Sequence, residues 1–144
     1  MSVHFTKHSF YRYAKCPSWI AHDARHGHPE DALRIRLQED GLLPEVERSL
    51  LQKRGTVVAE VTVDDLDEGM KQTLAYMHEG VQTIYRPVLM LDASVARPDF
   101  LERVQGASNF GDYYYVACDI KRSRAVKPEY KLQGCFYEDV LEMI

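Results

Sequence analysis

The stretch GDYYYVACDIK (111–121) decides how this chain is read. It opens on a glycine and runs through aromatic and β-branched residues, the composition of a strand half-buried in a sheet. In a strand, residues two apart project from the same face, so Asp119 and Lys121 would share a cleft while Ile120 turns into the core. The Ile120 carbonyl would then lie beside both. An acid and a base held together at the end of a buried strand form a pattern with chemistry in it, and the rest of the chain can be read outward from there.

Upstream, the turn-rich GASNFG (106–111) separates this strand from another around DFLERV (99–104). QTIYRPVLMLDA (82–93) reads as a further strand, with Pro87 demanding an irregularity or an unpaired N–H. TVVAEVTV (56–63) reads as a strand by its β-branched content. Between these two, Leu66, Met70, Leu74 and Met77 form one apolar stripe at helical spacing, predicting a helix over 65–79. Asp64 or Asp65 would cap it, and Gly80 would end it. The stripe is read as core packing that needs no cofactor.

Pro44 sits where a first helical residue would, and Val46, Leu50 and Leu51 follow at helical spacing up to Gly55, giving a helix over 44–54. Leu33, Ile35 and Leu37 suggest a brief ordered segment ahead of it. Residues 9–32 read as a short helix followed by a loop carrying His22, His26 and His28. At the other end, Leu132, Phe136, Val140 and Leu141 place a helix over 129–144. It reaches the final residue without a capping glycine, as expected of a domain cut from something longer. The order is helix, strand, helix, strands, helix, which is a mixed α/β domain spanning 1–144.

With 144 residues and 45% hydrophobic content, the chain can bury one core and not two comfortable ones. A net charge of −4 counts against a nucleic-acid partner, because phosphate binding usually shows as a basic surface, but carboxylates gathered around a metal make net charge a poor guide. No stretch reaches the roughly 18 apolar residues of a spanning helix, and the start MSVHFTKHSF lacks a signal-peptide core, so a cytoplasmic protein without a membrane partner is expected. Cys16, Cys118 and Cys135 are odd in number and widely spaced, indicating neither a disulfide framework nor a zinc site. Buried structural thiols are the expectation for Cys118 and Cys135.

Hydrolysing a phosphodiester requires charge neutralisation at phosphate oxygens and a hydroxide near neutral pH, and carboxylate-held Mg²⁺ or Mn²⁺ supplies both. Asp119 and Lys121 fit that need. Glu129-Tyr130-Lys131 repeats the acid-x-Lys spacing, but it follows Pro128 at a helix start, where residues two apart diverge. Asp99, just ahead of a buried strand segment, could meet Asp119 across the sheet, or could be a turn aspartate after Pro98. Gln133 and Tyr137 are four apart and share a helix face. They could orient a nucleic-acid backbone or a metal-bound water, or could simply face solvent. Trp19 and Tyr113–Tyr115 could stack on bases, although packing accounts for them more simply.

Taken together, GLLPE (41–45), PDF (98–100), DIK (119–121) and QGCFY (133–137) resemble the RecB-like branch of the PD-(D/E)xK nuclease superfamily, which includes the CRISPR-associated exonucleases. TLAYMHEGVQTIY (73–85) is similar to that branch's helix-to-strand passage. The resemblance implies a restriction-endonuclease-like α/β core, a short central mixed sheet flanked by helices, that cuts single- or double-stranded DNA with Mg²⁺ or Mn²⁺. It implies that Asp99 and Asp119 bind metal, that Lys121 stabilises pentavalent charge or helps deprotonate water, and that Gln133 and Tyr137 form the accessory motif. Glu45 is the positional candidate for a third metal ligand, with Glu47 the alternative. Pro44 stands where the family has a histidine, so a catalytically inactive nucleic-acid-binding or scaffold module with the same fold is the competing expectation. Cys16 resembles the early cysteine by which some relatives hold an iron–sulfur cluster, and a longer chain would have to supply the others.

Overall fold

A computed structural model of the protein describes residues 5–26, 49, 52–53, 58–120 and 124–144. Helices α1 (Lys7–Lys15) and α2 (Ser18–His26) come first, followed by strand β1 (Val58–Glu60), helix α3 (Leu66–His78), strands β2 (Thr83–Tyr85), β3 (Leu89–Leu91), β4 (Ser94–Ala96), β5 (Phe100–Ser108) and β6 (Gly111–Cys118), and helix α4 (Pro128–Glu142). Of the helix expected over 44–54, only residues 49, 52 and 53 are described, and these are helical. The segment around Leu33–Leu37 lies outside the described residues.

The fold is mixed α/β. One sheet runs in the order β1-β2-β5-β6, with β1 and β2 parallel and the remaining neighbours antiparallel, while β3 and β4 form a separate hairpin. All three residues of β2 are buried, so the middle of the sheet is covered on both faces. The parallel β1–β2 pair needs a crossover, and α3 supplies it. The core joins Val61, Met77, Ile84, Val88, Leu101 and Tyr115 to Phe136, Tyr137 and Val140 of α4. Leu66, Met70 and Leu74 pack against it, so the apolar stripe of α3 lies where its spacing predicts.

The ends of α3 follow from single residues. Asp65 is the cap, and its carboxylate accepts the Glu68 N–H at 3.0 Å. At the other end Gly80 adopts φ +70°, its N–H reaches the Met77 carbonyl, and Val81 N–H reaches the Tyr76 carbonyl. This Schellman arrangement satisfies carbonyls that the helix itself cannot. Tyr113 adds its hydroxyl to the Met77 and His78 carbonyls at 2.9 and 3.2 Å, and Tyr115 donates to Val81 at 2.6 Å. Burial pushes the Tyr115 phenol up to about 12, which keeps it a donor. These two tyrosines are packing residues. Gly80→Ala should cost about 1–2 kcal/mol in urea unfolding, since a Cβ at this backbone angle is strained. A loss below a few tenths of a kcal/mol would contradict the cap.

Several boundaries differ from the expectation. The segment after Cys16-Pro17, expected to be a loop, is helix α2, because Pro17 ends α1 and stands just ahead of the next helix's first turn, where a missing N–H costs nothing. The strand expected over 82–93 splits at Arg86 (φ +55°) and Pro87, and its second half turns at Asp92 (φ +51°) into the β3–β4 hairpin. Strand β5 runs through the expected turn to Ser108, passing a one-residue register shift between Gln105 and Ser108. Gly106 lies in that shift, and a Cβ there would stand 2.6 Å from the Tyr114 ring. The last helix ends at Glu142 with Met143 as its cap. Among the described residues no helix is long and apolar enough to cross a membrane.

Candidate functional site: a pair of clasped carboxylates

The β5–β6 ladder begins with Phe100 opposite Cys118. One step further out, the chains continue to pair through side chains instead of carbonyls. Asp99 N–H donates to Asp119 Oδ1 at 3.0 Å, and Ile120 N–H donates to Asp99 Oδ2. Each aspartate therefore grips the backbone beside the other. Asp99 is fixed on its far side as well, because its carbonyl accepts the Arg86 N–H at 2.9 Å, extending the β2–β5 pairing past the end of both strands.

This corrects the reading of 111–121 as one continuous strand. Strand β6 stops at Cys118, because the Asp99 carboxylate captures the N–H that the ladder would have used, and Asp119 and Ile120 lie just beyond it. Ile120 is half-buried and not a full core residue. Lys121 lies outside the described residues, as do Glu45 and Glu47. The convergence expected of Asp99 and Asp119 across the sheet is present, and it is a reciprocal clasp.

Two carboxylates held side by side repel, and three features offset this. Backbone N–H groups point at both. Tyr137 O–H donates to Asp119 Oδ2 at 3.1 Å, and Lys7 Nζ from α1 stands 3.8 Å from the same oxygen. Burial, then the charges of Asp119 and Asp99, push the Tyr137 phenol far above its usual range, so it stays protonated and acts only as a donor. The Asp119 side chain is 10% exposed, and in so dry a setting each unit of charge counts for more than in water.

Helix α4 delivers Tyr137. Pro128 occupies its first turn, and Glu129, Gln133, Phe136, Tyr137 and Val140 form its buried face. Gln133 and Tyr137 are 5% and 2% exposed, which overturns the alternative that they face solvent. Cys135 is exposed on the same helix, correcting the expectation of a buried thiol, since position 135 falls outside the buried stripe of 129, 133, 136, 137 and 140. Cys118 is half-buried.

Helix α1 packs against α4 and brings Lys15 into close ion-pair contact with Glu129. The acid of the second acid-x-Lys triplet is thus held by a helix-to-helix ion pair. The Lys15 ammonium holds the Glu129 carboxyl below its ordinary range. Its stabilising effect is therefore present above the unfolded carboxylate value of roughly 4.3 and fades as pH falls through the lowered folded value. Wild type should exceed Lys15→Met in urea midpoint at pH 7, and the gap should close in acid. A gap that is constant with pH would rule out this ion pair as its source.

The donor set can be tested against the metal that the resemblance implies. Two carboxylates and the neighbouring Ile120 carbonyl are hard oxygen donors of the type that Mg²⁺ and Mn²⁺ take, so the chemistry fits. They are part of a shell: among the described residues no group of three or more His, Cys, Asp or Glu side chains converges. Cys16, half-buried at the end of α1, has no such cluster around it, so the described residues do not fit an iron–sulfur centre. The His22 and His26 rings lie with centroids 4.7 Å apart and tilted by 40°, both exposed on α2. Trp19 on the same helix is 42% exposed and carries the Arg12 guanidinium over its ring at 4.8 Å.

No family model, curated protein or solved structure matches this chain.

Lys7 is the residue at this site that sequence reasoning missed. A single lysine at the start of an unremarkable helix carries no local signal, and it meets Asp119 through the docking of α1 on α4 and the pairing of Phe5 with β4.

Proposed function

We propose that this protein is a Mg²⁺- or Mn²⁺-dependent deoxyribonuclease of the RecB-like, restriction-endonuclease-like kind, with Asp99 and Asp119 as its metal-binding carboxylates. The observation that carries this is the clasp, in which two carboxylates from adjacent strand ends are fixed side by side, Asp119 by the Asp99 backbone amide and Asp99 by the Ile120 amide. Such a pair stores repulsion that a bound cation relieves. A divalent ion held there would lower the pKa of a bound water and neutralise charge on a phosphate.

The chain's own residues have separable roles in this reading. Asp99 and Asp119 hold the ion. Tyr137 would orient the Asp119 carboxylate by donating to its Oδ2. Gln133, one turn earlier on the same buried face, lines the wall from which Tyr137 projects. Lys121 would stabilise charge on the scissile phosphate or assist deprotonation of the water.

Labelled single- and double-stranded DNA, incubated with Mg²⁺ or Mn²⁺ and separately with EDTA, tests the reading. Cleavage that needs the metal is expected on at least one substrate. Binding of Mn²⁺ and DNA without cleavage of either would favour the inactive nucleic-acid-binding module instead.

A further inference from the structure

Two lysines on α1 reach carboxylates, and they are held differently. Lys15 makes a close ion pair with Glu129. Lys7, two turns earlier on the same side of α1, stands 3.8 Å from Asp119 Oδ2, too long for a hydrogen bond, with its side chain 25% exposed. An ammonium has three N–H donors. Among the described residues Asp119 is the ion-pair partner of this one, and the contact uses charge without using a donor.

The charge distribution points the same way. Residues 7–26 carry four Lys or Arg against one Asp, a local charge of +3, which leaves −7 for the rest of a chain whose total is −4. The helical pair is thus a basic stretch of an acidic protein, and its first residue reaches the carboxylates. An open groove of about 360 Å³ lined by Gln82, Arg103 and Tyr113 is a poorer place for an anion, because Arg103 already donates to the Gly80 carbonyl and to Gln82.

We infer that Lys7 is a phosphate-binding residue of this site, its ammonium contacting a non-bridging oxygen of the DNA backbone beside the Asp99–Asp119 pair. The inference rests on the nuclease reading and assigns the cation that draws the substrate's phosphate to the carboxylates. Lys7 would hold and orient that phosphate while Asp119 keeps the ammonium aimed inward. Arginine would preserve the charge at this position, and methionine would preserve only the aliphatic stem.

The test compares wild type, Lys7→Met and Lys7→Arg. Binding of a fluorescein-labelled single-stranded 15-mer is followed by anisotropy against salt in Ca²⁺, with strand integrity checked on a denaturing gel. Lys7→Met should bind about tenfold more weakly, as expected for losing one charged contact, and its log–log salt slope should fall by about 0.7. Its KM should rise with little change in kcat, and Lys7→Arg should restore most of both. Circular dichroism establishes that each variant is folded, and Lys7→Gln replaces Lys7→Met if the latter is not. Unchanged affinity and slope in a folded variant, with wild type still cleaving, would overturn the role of Lys7 and leave the nuclease reading intact. A wild type that neither binds nor cleaves the oligonucleotide would overturn both.

Discussion

Asp119→Ala should reduce metal-dependent DNA cleavage by about a thousandfold or more, because it removes one of two carboxylates that would hold an ion contributing several kcal/mol of charge stabilisation. The same substitution strips an acceptor from the Asp99 N–H and the buried Tyr137 hydroxyl, and a counter-charge from the Lys7 ammonium. An orphaned buried donor costs about 1–3 kcal/mol, while losing a like charge beside Asp99 returns part of that, so a net loss of about 1–2 kcal/mol in urea unfolding is expected. Asp119→Asn separates the two effects. Its amide oxygen can still accept the Asp99 N–H, so stability should stay within about 1 kcal/mol of wild type while cleavage is lost as fully as in the alanine variant. An Asp119→Ala protein that cuts DNA at the wild-type rate would remove Asp119 from the chemistry.

The largest stability effect is expected at Leu101, two residues from Asp99. Its side chain is fully buried in β5, between Ile84 of β2 and Ala117 of β6 in the sheet register. Truncating a leucine in such a place removes its transfer free energy and leaves a cavity that strands cannot collapse around, so Leu101→Ala should cost about 3 kcal/mol. Val126→Ala is the control: at 72% exposure it should change stability by less than about 0.5 kcal/mol. A loss under about 1 kcal/mol at Leu101 would mean that this strand is not the packed centre of the sheet. Because β5 also sets the position of Asp99, Leu101→Ala should lower cleavage at temperatures well below its unfolding midpoint.

What the sequence revealed depended on how local the determinant was. Asp65 and Gly80 bracket α3 because caps act within a turn of their own residue, and Pro87 announced the break between β2 and β3 because its missing N–H acts where it stands. The β3–β4 hairpin was harder to see. Its turn at Asp92-Ala93 lacks the Asn-Gly or Asp-Gly signal of a tight hairpin, and its strands are three residues each. Helix α2 was hidden by Pro17, which reads equally well as an end or as a beginning. Tyr113 and Tyr115 were legible as packing residues but not as the caps of α3, which they reach from more than thirty residues away.

The same division holds at the site. Asp99 and Asp119 could be paired from chain order and from the strands each one adjoins, and Tyr137 was marked out by its spacing of four from Gln133 on the last helix, although its burial was not. That the pair is joined by exchanged side-chain-to-backbone bonds, with the ladder ending to allow it, is a consequence of tertiary register that composition does not carry. Lys7 lies at the far end of this scale, 112 positions before Asp119 in the chain and beside it in space.

The central claim is that the clasped carboxylates are a cation site. Crystals soaked in Mn²⁺ and measured for its anomalous signal test it most directly. The account predicts one peak within about 2.0–2.6 Å of carboxylate oxygens from both Asp99 and Asp119. A peak touching neither, or none at Mn²⁺ concentrations that saturate other sites, would contradict it.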